Sequence, residues 1–262
     1  MANTMKKKNI QTPVILIVLA AGMISPPQNA LARENPSLQN DSVPYVTMPD
    51  VSPKLTTGYG NPLLDFTFTA DPTAVEYKGR LYVYATNDQQ QYETVGGYGK
   101  NSYEYIKSLV MMSTDDMINW TYHGIIKTDS LAPWIKASWA PSVTKREEAD
   151  GKTHFYLYFS NSGDGTGVLT STSPIGPWSS PLNHCLVDTN TPGIAGECKA
   201  AFDPGVVIDD KGTGWLAVGG GCARIMRLGK DMISVDGPIK PIRAPHHFEA
   251  NEIGRASCRE RV

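Results

Sequence analysis

Residues 69–85, TADPTAVEYKGRLYVYA, contain the clearest structural signal in the chain. Polar and apolar residues alternate on both sides of Lys78-Gly79, as expected for two antiparallel strands joined by a tight turn. An acidic residue and a proline, Asp71-Pro72, stand at the head of the first strand. A similar order of acidic or proline-containing turn, polar or glycine turn and alternating strand returns later in the chain. The stretch therefore predicts the start of a repeated β-unit.

Three copies of this unit can be followed along the sequence. The strands predicted for the first copy are 73–77, 80–85, 109–113 and 120–126. Those of the second copy are 139–143, 153–160 and 167–171, closing near Trp178. Those of the third follow Asp203-Pro204 as 206–208, 215–218 and 223–228, and a fourth unit opens at 248–250. The predicted fold class is all-β, a β-propeller with about three blades and the start of a fourth.

The first residues have the organisation of a secretory signal peptide. Lys6-Lys7-Lys8 precede an apolar run over 14–24, two prolines and the small-residue pattern that ends at Ala32. We expect residues 1–32 to be removed and the protein to be exported to the periplasm or the exterior. The run is too short to span a bilayer comfortably and no comparable run follows, so no membrane anchor is expected.

The two ends of the mature chain differ in composition from its middle. Residues 33–60 are rich in Pro, Asn and Ser and are predicted to form a linker or wrapping segment, whereas 61–251 form the propeller domain. Residues 252–262 lack strand alternation and can be encoded by DNA that resembles a short-read sequencing adapter in frame. We therefore expect the native protein to continue past Asn251. Because an incomplete propeller leaves edges and apolar faces uncovered, we expect a chain of this length to be inactive and poorly soluble.

Composition argues against nucleic acid as a partner. The chain has 24 basic and 26 acidic residues and a net charge of −2, and three of its lysines belong to the predicted signal peptide. No basic stripe of the kind that binds a phosphate backbone is present in the sequence. The length is sufficient for one large core, and the Tyr, Trp, Gly and Pro content favours an all-β domain.

Cysteine spacing predicts no zinc site. Apart from Cys258 in the terminal segment, the chain contains Cys185, Cys198 and Cys222, without the paired close spacings that zinc requires. A disulfide between Cys185 and Cys198 would close a modest loop after export. Three buried or partly buried thiols are the alternative, and the sequence leaves both open.

The order of several short phrases resembles glycoside hydrolase family 43. The phrases are Ala70-Asp71-Pro72, residues 113–120 (STDDMINW), residues 138–142 (SWAPS), residues 173–178 (SPIGPW) and Phe202-Asp203-Pro204. A lone Asp-Pro is usually a turn, so the resemblance depends on the order of the phrases over about 61–251. It implies a five-bladed β-propeller in which the first strand of several blades carries an acidic residue that faces a central cavity.

The resemblance also implies three carboxylates with separate roles in an inverting hydrolysis of a glycosidic bond. Asp71 would be the general base that activates water, and Glu249 the general acid that protonates the leaving oxygen. Asp203 would orient Glu249 and raise its pKa through its own negative charge. The mechanism requires no cofactor and no catalytic metal. Some relatives hold calcium in the propeller channel, so a structural calcium ion is compatible with the full-length protein.

Five further residues are candidates for substrate contact. Trp139 could stack on the apolar face of a sugar, with core packing as the alternative. Asn87, Asp88 and Asn161 follow strand ends and could bond sugar hydroxyls, although turn capping competes as an explanation for each. His247 could shape the pocket of the neighbouring acid. Since adjacent strand residues point to opposite faces, at most one of His246 and His247 is expected to do so.

The expected partner is a polysaccharide or oligosaccharide. Within the family, residues 89–107, 138–141 and 161–163 look most like arabinoxylan-directed α-L-arabinofuranosidases, which remove arabinofuranose side chains from xylan. A β-xylosidase or an arabinanase of the same family is an alternative, because the same three acids serve all of them. A non-catalytic carbohydrate-binding propeller and a retaining, sucrose-type furanosidase are two further alternatives. Anomeric analysis of the product would distinguish the inverting mechanism from the retaining one.

Overall fold

The computed structural model of the chain describes residues 63–96, 102–243 and 247–251. The predictions for the signal peptide (1–32), the linker (33–60), the terminal segment (252–262) and His246 fall outside these residues. Within the described ranges, no helix has both the length and the apolar character needed to cross a membrane.

Three four-stranded antiparallel sheets make up the fold, and in each the strands are neighbours in chain order. Blade 1 contains β1 (Thr69–Tyr77), β2 (Arg80–Asn87), β3 (Leu109–Thr114) and β4 (Thr121–Ile126). Blade 2 contains β5 (Trp139–Glu147), β6 (Thr153–Asn161), β7 (Gly165–Ser171) and β8 (Val187–Asp188). Blade 3 contains β9 (Gly205–Ile208), β10 (Gly214–Val218), β11 (Ala223–Arg227) and β12 (Lys240–Ile242). The predicted all-β class and the three blades are confirmed.

The outermost strands differ from the prediction. In blade 2 the chain near Trp178 forms only the isolated bridge of Thr170 with Ser179, and the fourth strand is β8, which pairs with the first residues of β7. Blade 3 has a fourth strand that the sequence did not predict, because β12 is short and exposed and contains a proline. Such a strand has no apolar alternation to reveal it.

Two short helices, α1 (Asp88–Val95) and α2 (Thr128–Leu131), join strands or blades. The sequence of α1, DQQQYETV, contains good helix formers but no apolar stripe, and its buried residue is the polar Gln91. Gln91 accepts a hydrogen bond from the backbone N–H of Tyr105 at 3.0 Å, so the helix is held by polar contacts with the following loop. This explains why hydrophobic periodicity did not predict it.

Apolar side chains of neighbouring blades pack together to form the core. Tyr84, Phe155 and Leu157 belong to a cluster shared by blades 1 and 2, and Tyr158 and Leu216 to a cluster shared by blades 2 and 3. The buried tyrosine hydroxyls are satisfied, because Tyr84 donates to the carbonyl of Pro174 and Tyr158 donates to that of Met232. Each blade therefore buries its faces against the next.

Hydroxyl side chains connect the first strands of successive blades, and we call these two contacts the hydroxyl latches. Thr73 Oγ1 in β1 accepts the backbone N–H of Val143 in β5 at 3.2 Å. Ser142 Oγ in β5 accepts the backbone N–H of Val206 in β9 at 3.0 Å. Both hydroxyls are buried, and both follow a proline directly. The latches fix how each first strand is placed against the next one.

A disulfide joins Cys198 to Cys222, with the Cα atoms 5.5 Å apart. The suggested pairing of Cys185 with Cys198 is therefore wrong: Cys185 is a free thiol whose sulfur accepts a hydrogen bond from Asn161 at 3.4 Å. The bridge between Ala200 and Gly220 brings the two bonded cysteines opposite each other, although they are farther apart in sequence than the pair first considered. Tertiary pairing decided the connectivity, and sequence spacing did not.

We expect Ser142→Ala to destabilise the domain by about 1–3 kcal/mol, because it leaves the buried N–H of Val206 without its acceptor. Urea unfolding monitored by tryptophan fluorescence would measure the change. Ser130→Ala is the matched control, since Ser130 is exposed and should change stability by less than about 0.5 kcal/mol. Equal stabilities of the two variants would contradict the assigned role of the latch.

We expect the double variant Cys198→Ala/Cys222→Ala to lose roughly 2–4 kcal/mol of stability, because the disulfide closes a loop across a sequence separation of 24. Cys185→Ala is the control and should have a small effect. The measurement is urea unfolding without reductant. Titration of all cysteines as free thiols in the unfolded, unreduced protein would refute the assigned bond.

Candidate active site

Two of the candidate acids stand directly before a proline at the start of a first strand. Asp71 precedes Pro72 in β1, and Asp203 precedes Pro204 just before β9. Because proline cannot donate to the strand ladder, pairing is interrupted at such a step. The register of β1 shifts between Ala70 and Thr73. Because of this interruption, the side chain of the acid does not follow the regular alternation of side chains between the two faces of the strand.

The backbone confirms this special geometry. Asp71 has φ 48° and Asp203 has φ 52°, both in the left-handed region that side-chain-bearing residues seldom adopt. Blade 2 has the same proline at Ala140-Pro141, with a register shift between Trp139 and Pro141. The equivalent of the two acids in blade 2 is therefore Ala140, a residue without a charge.

Asp203 is the best-connected residue of the group. Its backbone N–H donates to Ser160 Oγ at 2.8 Å. Its carboxylate Oδ2 accepts the backbone N–H of Ala250 at 2.9 Å, and its carbonyl accepts Asn251 Nδ2 at 2.9 Å. Ala250 directly follows Glu249, so Asp203 holds the segment that carries the proposed acid.

The segment 247–251 is also bound to the turn between β10 and β11. Gly221 donates its N–H to the carbonyl of Phe248 at 2.6 Å. The carbonyl of Gly219 accepts Asn251 Nδ2 at 3.1 Å and lies 3.2 Å from His247 Nε2, which must be the donor because a carbonyl only accepts. The side chain of Glu249 remains exposed.

Electrostatic interactions show that the acids form one group. Partial burial raises the pKa of Asp71, and the charges of Asp203 and then Asp88 raise it further. Burial is also the main cause of the raised pKa of Asp203; the N–H of Ala250 opposes this shift, while the charge of Glu249 adds to it. Asp71 keeps an exposed surface, but the surrounding protein removes part of its hydration. The structure thus brings together carboxyls from three separate segments.

The predicted substrate contacts divide into two sets. Asp88 lies with the acids, and its carboxylate accepts a hydrogen bond from Thr86 Oγ1. Trp139 is half-buried; its indole N–H donates to the carbonyl of Tyr103 at 2.9 Å, and the two rings meet edge to face at 6.2 Å. The ring of Trp139 is therefore fixed in place while part of it stays accessible. His247 is bonded to Gly219, as described above.

Asn87 and Asn161 are instead engaged within the protein. Asn87 is buried, and its Nδ2 donates to Ser108 Oγ at 3.0 Å. Asn161 is buried as well; its Oδ1 accepts the backbone N–H of Lys136 at 2.6 Å and that of Ala137 at 3.3 Å. The two hydrogen bonds to Asn161 fix the turn before β5, so the geometry favours a structural role for Asn161 over the expected sugar contact.

Two residues of the site were missed by the sequence reasoning. Ser160 ends the apolar run of β6 and is fully buried, but nothing in the sequence indicates that it pairs with Asp203. Asn251 follows Glu249 by two residues, and its proximity to the acid is the only available signal. In the part of the chain that the structure describes, no group of three or more His, Cys, Asp or Glu side chains is arranged to hold a metal ion.

Comparison with known proteins gives one consistent family. The family model described as Glycosyl hydrolases family 43 matches residues 59–255. An arabinoxylan arabinofuranohydrolase of Bacillus subtilis (strain 168) is 42% identical over 217 residues, which cover 73% of this chain and 42% of that protein. One of the same description from Paenibacillus polymyxa is 39% identical over 219 residues, 75% of this chain and 34% of that protein. The chain thus spans less than half the length of these two relatives.

Solved structures agree with the sequence comparison. A family 43 arabinoxylan arabinofuranohydrolase from Bacillus subtilis, in complex with cellotetraose, has a TM-score of 0.68 at 41% identity, covering 72% of this chain and 44% of that one. An α-L-arabinofuranosidase from Clostridium thermocellum has a TM-score of 0.62 at 39% identity, covering 73% of this chain and 62% of that one.

The raised pKa of Asp71 predicts how this residue changes the stability of the fold with pH. A carboxyl whose pKa is higher in the folded state than in the unfolded state, about 3.9, stabilises the fold below that value, and the contribution is lost as pH rises through the folded pKa. We therefore expect Asp71→Asn to raise the melting temperature at pH 7, with a gain that shrinks toward pH 4. Asp129→Asn, at an exposed position of α2, is the control. A melting temperature lowered at pH 7 by Asp71→Asn alone would contradict the assignment.

Proposed function

The chain belongs to glycoside hydrolase family 43, and from that membership we propose that it releases α-L-arabinofuranose side chains from arabinoxylan by an inverting hydrolysis. The observation that carries the proposal is the interaction of three carboxyls from separate segments, in which Asp203 is bonded to the residue after Glu249. A pair of carboxyl groups, one acid and one base, is what glycosidic cleavage requires.

Asp71 acts as the general base in this proposal. It takes a proton from a water molecule whose oxygen attacks the anomeric carbon. Only the ionised form can do this, and the raised pKa of Asp71 therefore sets the low-pH limit of activity above the ordinary range of an aspartate. Its exposed surface leaves it accessible to water and sugar.

Glu249 acts as the general acid. It gives its proton to the glycosidic oxygen as the bond between that oxygen and the anomeric carbon breaks. Because the water activated by Asp71 attacks that carbon from the opposite face, the released arabinose has inverted configuration after a single displacement. Asp203 is half-buried, and its carboxylate accepts the backbone N–H of Ala250. These constraints suit a residue that positions the acid better than one that attacks substrate.

The proposed substrate follows from the relatives and from the surroundings of the acids. The two curated relatives named above are arabinoxylan arabinofuranohydrolases. Trp139 offers a fixed, partly accessible ring for the apolar face of a sugar, and Asp88 offers a carboxylate for its hydroxyls. Export is part of the proposal, on the basis of Lys6-Lys7-Lys8 and the apolar run behind them. No step is assigned to a metal or cofactor.

We expect protein expressed from the complete coding sequence, through its own stop codon, to release arabinose from arabinoxylan, with the initial product seen by proton NMR as the inverted anomer. Glu249→Gln and Asp71→Asn should each lower kcat by about 100-fold or more. The kcat/KM of the parent should fall as pH drops through the raised pKa of Asp71.

Glu147→Gln is the control for these measurements, because Glu147 is exposed at the end of β5. Full activity of either acid variant would refute its assigned role. A product with retained anomeric configuration would refute the single displacement. Binding of arabinoxylan without hydrolysis would show that the protein is a carbohydrate-binding protein and not an enzyme.

A further inference from the structure

The backbone on both sides of Glu249 is held by another part of the chain. On the N-terminal side, the carbonyl of Phe248 accepts the N–H of Gly221 at 2.6 Å. On the C-terminal side, the N–H of Ala250 donates to Asp203 Oδ2 at 2.9 Å, and Ala250 has φ 61°. The chain thus bends directly after the acid. Because the Glu249 side chain is exposed, its direction depends mainly on this backbone.

Asn251 connects the two anchoring segments through one nitrogen atom. Its Nδ2 donates to the carbonyl of Asp203 at 2.9 Å and to the carbonyl of Gly219 at 3.1 Å. An amide nitrogen carries two hydrogens, so both bonds can form at once. Both acceptors are carbonyl oxygens, and an aspartate of the same shape could not donate to either of them. The site therefore selects a side chain with two donors at this distance from the backbone.

We infer that Asn251 is a positioning residue for the general acid: it locks the bend after Glu249 onto blade 3 so that the carboxyl points at the leaving oxygen. The inference rests on the proposed function. A proton donor must be within hydrogen-bond reach of the atom it protonates, and a small displacement of such a group lowers the rate strongly. Ser160 supports the same arrangement from blade 2, through the N–H of Asp203.

The choice of leaving group distinguishes a variant in which the acid is misplaced from a variant that is only less folded. The sugar-chain oxygen that leaves arabinoxylan is strongly basic and needs a proton as the bond breaks. A nitrophenolate leaves readily without one. A variant in which Glu249 is misdirected should therefore be defective on arabinoxylan and nearly normal on a nitrophenyl arabinofuranoside. A variant that is merely less folded should lose both activities equally.

The test compares Asn251→Asp and Asn251→Ala with Asn183→Ala, which alters an exposed asparagine in the loop before β8. All are made in the protein expressed from its complete coding sequence. For both Asn251 variants we expect kcat on arabinoxylan to fall by about 10- to 100-fold with KM changed less than about twofold, and kcat on the nitrophenyl substrate to fall less than about threefold. Equal losses on the two substrates, or no loss on arabinoxylan, would overturn the inference.

Hydrogen exchange measured by mass spectrometry gives a second readout that needs no activity. In both Asn251 variants, amides of the peptides that contain Gly221 and Ala250 should exchange at least about tenfold faster, and those of β6 should be unchanged. In Asn183→Ala all of them should match the parent. If the parent hydrolyses neither substrate, the proposed function fails on its own. Unchanged exchange at Gly221 and Ala250 would then overturn the locking role of Asn251, and faster exchange would uphold it.

Discussion

A backbone N–H bonded to a hydroxyl of the preceding blade is the contact on which the placement of the site depends. The two hydroxyl latches, at Thr73 and Ser142, lie two residues beyond Asp71 and Ala140, and the second receives the N–H of Val206, three residues beyond Asp203. The positions before each proline are therefore held in register around one centre. Asp71 and Asp203, which are far apart in sequence, can meet because each of the three described blades has a residue followed by proline at the start of its first strand.

The same two aspartates also make unfavourable contributions to folding. A left-handed conformation at an aspartate costs on the order of 1 kcal/mol, and Asp71 and Asp203 both adopt it. Lost hydration raises the pKa of both aspartates; the charge of Asp203 raises that of Asp71 further, and the charge of Glu249 raises that of Asp203 further. Local rules alone would not place two like charges here, so the surrounding packing and the bonds from Ser160 and Asn251 must hold them.

Local patterns predicted the inner strands of every blade, because residues 69–85 and their repeats alternate in the way that a half-buried strand requires. They failed where the contacts are long-range or polar. Helix α1 is held by Gln91, β8 pairs with the first residues of β7, and Cys198 meets Cys222 across a bridge. For the candidate site, the family phrases pointed to acids that the fold does bring together, but the hydrogen bonds of Ser160, Asn161 and Asn251 had no local signature.

Ala140 marks the point where the repeat differs between the blades. It occupies in blade 2 the position of the two aspartates, and β5 packs between β1 and β9. A third aspartate there would lie among charges that already raise the pKa of Asp71, and would raise it again. In the proposed mechanism Asp71 must be ionised to accept a proton, and the methyl group of Ala140 adds no charge that would oppose this. It also leaves an uncharged surface next to Trp139, the ring proposed to contact the apolar face of a sugar.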